Sequence, residues 1–118
     1  MEASFPKHAR LLRPAEFKKV FDDPVRVSRN GVIVLARKND TGYARLGLAV
    51  AKRHVRRAHE RNRIKRLARE TFRQHPLRTC AVDCVVLTRA GVGEVSNDHL
   101  RAAFNFAWQR LHERCAES

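Results

Sequence analysis

Between Lys52 and Arg73 the chain places ten Lys and Arg residues against only two acids, Glu60 and Glu70. That is a net +8 out of a whole-chain charge of +13. Such a density repels itself unless a polyanion binds it, and the commonest polyanions in a cell are nucleic acids. Of the 25 basic residues, 19 are Arg. Arg forks onto phosphate oxygens and stacks on flat bases, so the bias favours contact with structured nucleic acid over bulk neutralisation.

Other chemistries find weaker support. Metal-dependent phosphodiester cleavage needs clustered carboxylates, and here only Asp22 and Asp23 are adjacent. No catalytic residues and no protein-held metal are therefore expected. Cys80 and Cys84 have a spacing that invites zinc. Placed in or beside a strand they stand roughly 13 Å apart, too far to share an ion. With Cys115 they are read as small buried hydrophobes, and their odd number fits a reducing compartment. His54 and His59 lie inside the basic stretch and read as phosphate contacts or exposed side chains. No apolar run approaches the ~20 residues of a membrane span. The N-terminal residues lack the pattern of a signal peptide. The expectation is a cytoplasmic protein that binds neither membrane nor DNA.

The positioning elements follow from periodicity. The 118 residues suit one domain, 1–118, and a 43% hydrophobic share suffices for a core. Pro14 opens a short helix with Phe17, Val20 and Phe21 at helical spacing, closed by Asp22-Asp23-Pro24. Val25-Arg26-Val27 alternates, Asn30-Gly31 turns, and Val32 to Ala36 reads as a buried strand. Asn39 to Gly42 reads as a hairpin-type turn. Leu46, Leu48 and Val50 alternate with small residues in a third strand. A helix spans 57–74, a strand 82–88. Ser96 or Asn97 caps a last helix whose apolar stripe is Leu100, Ala103, Phe104, Ala107, Trp108 and Leu111. The order αβββαβα gives an α+β sandwich, one sheet packed with helices.

On a wheel at about 100° per residue, Ile64, Leu67, Ala68, Thr71 and Phe72 share one arc of the basic helix. Asn62, Lys65, Arg66, Arg69 and Arg73 share the opposite one. Charged helix faces are usually solvated surfaces of alternating sign. An exposed arc of one sign destabilises the helix and points to a bound anion.

The run Arg56 to Arg66, with Arg61-Asn62-Arg63 at its centre and Ala49-Val50-Ala51-Lys52-Arg53 before it, resembles the signature of the bacterial ribonuclease P protein subunit, in its gamma-proteobacterial form. Leu11 to Phe17 with Val20-Phe21, Arg45 to Leu48 and Val85 to Leu87 are similar to that family's first helix, third strand and last strand. The resemblance implies a small protein partner of a large catalytic RNA, which with RNA-bound Mg2+ removes the 5′ leader of precursor tRNA. It implies a mixed sheet with a left-handed βαβ crossover, where sequence physics alone would give the right-handed one. It also implies RNA contacts at Lys52, Arg53, Arg56, Arg57, Arg61, Asn62, Arg63, Lys65, Arg66 and Arg69. A cleft for the single-stranded leader falls at Phe17, Phe21 and Arg45, where aromatics would stack unpaired bases. By spacing alone, Phe17 and Phe21 read first as core; the resemblance turns them to the cleft, and the two roles are compatible. Two departures stand out: the turn Val55 to His59 runs one residue longer, and Val32 to Leu35 carries no aromatic. The rival reading is a structural, ribosomal-type RNA-binding protein, which would need neither the cleft nor this motif.

Overall fold

The computed structural model describes residues 7–117; the first six residues, on which the expectation of no signal peptide partly rests, and Ser118 lie outside it. Four strands form one sheet: β1 (Val25–Arg29), β2 (Val32–Lys38), β3 (Arg45–Ala49) and β4 (Val82–Thr88). Three α-helices accompany them: α1 (Pro14–Phe21), α2 (Ala58–Gln74) and α3 (Asn97–Glu117). Short 3₁₀ turns at Lys7–Ala9, Pro76–Thr79 and Val92–Glu94 were not legible in the periodicity.

The spatial order is β1-β2-β4-β3. β2 is antiparallel to both β1 and β4, whereas β3 and β4 run parallel and are joined through α2. This corrects one expectation. Asn39 to Gly42 does turn: Asn39 Oδ1 accepts from the Thr41 N–H at 3.2 Å, and Gly42 has φ +84°. It is not a hairpin, because β4 inserts between β2 and β3. The physical reason is burial. Val32 to Ala36 and Val82 to Val86 are buried throughout, so both strands need apolar cover on two faces and take the sheet's centre. The Asn30–Gly31 turn is a true hairpin, with φ +51° and +84° at its two residues, as a two-residue I′ turn demands.

One sheet face presents Val32, Val34, Ala36, Leu46, Cys84 and Val86 to α2 and α3. Between those helices Trp108 Nε1 donates to Thr71 Oγ1 at 2.9 Å, and Thr71 donates back to the Leu67 carbonyl at 2.8 Å. The Trp108 and Thr71 polar atoms are thus satisfied, and the apolar arcs of both helices are buried as their periodicity requires. Ser96 caps α3, its Oγ accepting from the His99 N–H at 3.2 Å. The other face, with Ile33, Leu35 and Val85, is covered by the eight-residue α1. The free edge of β3 is shielded by Arg10 and Leu11, the Leu11 N–H donating to the Leu46 carbonyl at 2.9 Å.

The cysteines need a second correction. Cys84 is buried on β4, and burial pushes its thiol pKa well up. Cys80 precedes the strand and is only half-buried beside Cys115; burial, then the hydrogen bond to Cys115, pushes it up to about 11. Among the described residues no group of three His, Cys, Asp or Glu could hold a metal ion.

Candidate nucleic-acid interface

α2 supplies the first surface. Its buried arc of Ile64, Leu67, Ala68, Thr71 and Phe72 fixes the helix against the sheet and α3. Asn62, Arg66 and Arg69 are exposed and Lys65 half-exposed on the other side. Among the described residues, no acid pairs with Lys65, Arg66 or Arg69. Glu70 turns towards α3 instead, and Glu60 towards the Gly93 turn that precedes it. Glu60 pairs with Arg63 at 3.2 Å, and Glu70 with Arg101 of α3 at 3.3 Å. The outward ridge keeps one sign because both acids of the helix are held on one flank. Burial, and then the nearby charge of Arg10, lower the pKa of Arg69.

The turn before α2 extends the ridge. The Ala51 carbonyl accepts from the His54 and Val55 N–H groups, both at 3.1 Å, leaving Lys52 and Arg53 exposed. Arg56 and Arg57 are exposed at the helix start, where the α2 dipole adds positive potential. Arg61 closes this turn: its Nη1 donates to the Val55 and Arg56 carbonyls at 2.9 and 2.8 Å. That brace defines the longer turn noted in the sequence. His59 is exposed; His54 is half-buried, and its Nδ1 is enclosed without a hydrogen-bond partner among the described residues.

Arg63 is not brought onto the ridge. Its Nη1 donates to the Val95 carbonyl at 3.1 Å and Asn97 Oδ1 at 2.7 Å, and its Nη2 to the Gly93 carbonyl at 3.0 Å. It clamps the segment leading into α3. The other nine residues of the expected set lie along α2 and its preceding turn.

The second surface lies on the opposite sheet face. The Phe17 ring rests on Gly47: a Cβ there would stand 2.7 Å from Phe17 Cζ. Gly47 is thus a residue whose missing side chain seats the aromatic. Phe21, one turn on, is 48% exposed, so it is not a core residue. Phe17 is half-buried over Leu11, Ile33, Leu35 and Val85. Arg26 and Ser28 of β1, paired with Leu35 and Ile33, extend this face as exposed polar positions. Arg26 was not singled out in the sequence, although the Val25-Arg26-Val27 alternation already put it opposite the core.

Two strand arginines hold α1 on this sheet face. Arg45 Nε and Nη2 donate to Asp83 Oδ1 and Oδ2 at 2.8 and 2.7 Å, and its Nη1 donates to Glu16 Oε2 at 3.1 Å. The hydrogen bonds to Asp83 raise the Arg45 pKa, and burial opposes them. Arg37 Nη1 donates to the Lys19 and Asp22 carbonyls at 3.0 and 2.7 Å. Glu16 also caps the helix start, its Oε1 accepting from the Leu12 and Arg13 N–H groups at 3.0 and 2.9 Å. Those bonds, Arg13 first, hold its pKa below the usual carboxylate range. Arg45 therefore stands beside α1 with its guanidinium engaged by two carboxylates.

A one-sheet α+β fold, with a same-sign arginine helix on one face and a short helix carrying exposed aromatic surface on the other, defines a protein that binds RNA. Residues 5–112 match the model of the family described as Ribonuclease P. The chain belongs to that family. It is 48% identical over 117 residues to the ribonuclease P protein component of Proteus mirabilis, covering 99% of this chain and 98% of that one. It is 46% identical over 110 residues to that of Yersinia enterocolitica, covering 93% and 92%. The structure of the Thermotoga maritima RNase P protein superposes with a TM-score of 0.72 at 29% identity, over 86% of this chain and 96% of that one. The Staphylococcus aureus RNase P protein has the same fold, with a TM-score of 0.77 at 24% identity over 87% and 94%. The chain thus partners ribonuclease P RNA in the endoribonuclease that matures the 5′ ends of precursor tRNA.

Proposed function

We propose that the α2 ridge grips the catalytic RNA while the α1 cleft receives the unpaired leader of the substrate. The protein then positions precursor tRNA for a reaction carried by the RNA. The observation that carries this division is the placement of the ridge and the aromatic cleft on opposite faces of one sheet. A single-stranded leader on Phe17 and Phe21 does not compete with a folded RNA on Arg66 and Arg69. Mg2+ belongs to the RNA in this reading, since the described residues present no carboxylate cluster that fits it. In such a division the chain contributes phosphate contacts and stacking, and transfers no proton. A cytoplasmic location is part of this reading, supported by the likeness to bacterial ribonuclease P protein components; no helix among the described residues is long and apolar enough to cross a membrane.

The test is leader dependence. Base–aromatic stacking contributes roughly 1–3 kcal/mol per base, so Phe17→Ala in the holoenzyme should weaken binding of leader-bearing precursor tRNA about tenfold. Binding of mature tRNA should hardly change. A folded variant, verified by thermal denaturation, that binds both substrates as the parent does would make Phe17 a packing residue and remove the cleft.

A further inference from the structure

α3 buries Leu100, Ala103, Phe104, Ala107, Trp108 and Leu111, yet Phe106 points off that stripe and is 36% exposed. Among the described residues, the other exposed large apolar side chains, Leu12 and Phe21, lie in or beside α1. Phe106 is thus the exposed aromatic of a different surface. Arg29 closes β1 and pairs in register with Val32, whose side chain faces the helices, so Arg29 projects towards α3. Its Cζ lies 4.1 Å from the centre of the Phe106 ring, well inside the ~6 Å range of cation–π contact. Arg29 itself stays exposed. Arg110, exposed one helical turn after Phe106, adds a cation on the same flank.

An aromatic ring backing an exposed guanidinium is a ready platform for an unpaired base, with the remaining N–H groups free for phosphate. We infer that Arg29 and Phe106 form a third RNA contact, in which an unpaired base of the catalytic RNA stacks on Arg29. The occupant follows from placement. The platform lies on the far sheet face from the α1 cleft, so a leader seated at Phe17 does not reach it. It stands on the β1 flank of α3, while α2 packs on the other flank, where Arg101 meets Glu70. A partner that covers both the ridge and this platform has to wrap α3, which suits a large folded RNA. The site goes beyond the ridge and the cleft, and stands whether or not Phe17 binds the leader.

The experiment measures affinity of the full chain for the catalytic RNA, with thermal denaturation of every variant. Phe106→Leu removes the ring but keeps an apolar side chain. Arg29→Lys keeps the charge but loses the plane. Each should weaken binding roughly five- to tenfold, the scale of one stacked base, with little change in the salt slope. Phe106→Tyr keeps the platform and should bind as the parent. Three results would overturn the inference. One is unchanged affinity in folded Phe106→Leu and Arg29→Lys. Another is a loss in Arg29→Ala that Arg29→Lys fully restores, which makes the contact one of charge alone. The last is a loss confined to leader-bearing precursor tRNA, which makes the occupant the leader.

Discussion

Gly47→Ala tests the seating of Phe17 with a single methyl. The new Cβ would lie 2.7 and 2.8 Å from Phe17 Cζ and Cε1 and 3.0 Å from Leu11 Cβ. Carbon–carbon contacts are optimal near 3.5–4.0 Å, so the ring must withdraw by about 1 Å. α1 cannot swing away as a body, because Arg45 holds Glu16 at its start and Arg37 holds Lys19 and Asp22 at its end. The ring therefore has to leave its preferred rotamer or lift off the floor. Overpacking of this kind destabilises by about 1–3 kcal/mol. At roughly 5 °C per kcal/mol, Tm should fall by about 5–15 °C. The second readout is substrate affinity in the holoenzyme, with and without a leader. The leader-dependent part should drop several-fold while catalytic-RNA affinity holds. Gly47→Ala with Phe17→Leu relieves the clash and should recover much of the stability, but not the leader affinity, since the stacking surface is gone. Parental Tm and parental leader dependence in Gly47→Ala alone would refute the claim that glycine seats the ring.

Arg45→Met leaves the Asp83 carboxylate, whose side chain is only 7% exposed, with the Asn39 Nδ2 hydrogen bond at 2.7 Å but without its cation. Removing one member of such a pair destabilises by about 3–5 kcal/mol, somewhat less here because Arg45 is partly solvated; urea unfolding should show it, and Asp83→Leu in the same chain should recover part of the loss. Arg63→Ala should lower stability by about 1–3 kcal/mol through the lost bonds to the Gly93 and Val95 carbonyls and Asn97, yet leave the salt slope of RNA binding unchanged.

The sequence made α2 readable in detail because a strict 3.6-residue pattern separates its buried and charged arcs. Its two flanks were harder to tell apart. Arg63 lies about 100° from the centre of the apolar arc, on the same side as Glu60 and Glu70. The wheel leaves Arg63 off the charged arc, and only the resemblance sets it among the RNA contacts; which flank of α2 meets a neighbour shows once the segment leading into α3 is placed. The signal was its company: an arginine beside the only two acids of the helix. Strand pairing failed for a related reason. Asn39-Asp40-Thr41-Gly42 has local turn chemistry, whereas the insertion of β4 between β2 and β3 depends on residues some forty positions away. Gly47 read merely as part of a small-residue face, because the need for glycine arises from a ring thirty positions earlier in the chain. Arg45 is set at the leader cleft by the resemblance alone, and only the fold shows Asp83 and Glu16 within hydrogen-bond reach.

The central claim is that the outward arc of α2 binds folded RNA through phosphates, and the salt dependence of catalytic-RNA affinity tests it most directly. Arg66→Ala with Arg69→Ala removes two exposed cations that no acid pairs with among the described residues. Each lost phosphate contact should shallow the slope of log affinity against log salt by about 0.7–0.9, so the double variant should lose about 1.4–1.8 units and bind more weakly at moderate salt. A folded double variant with parental affinity and parental slope would contradict the account.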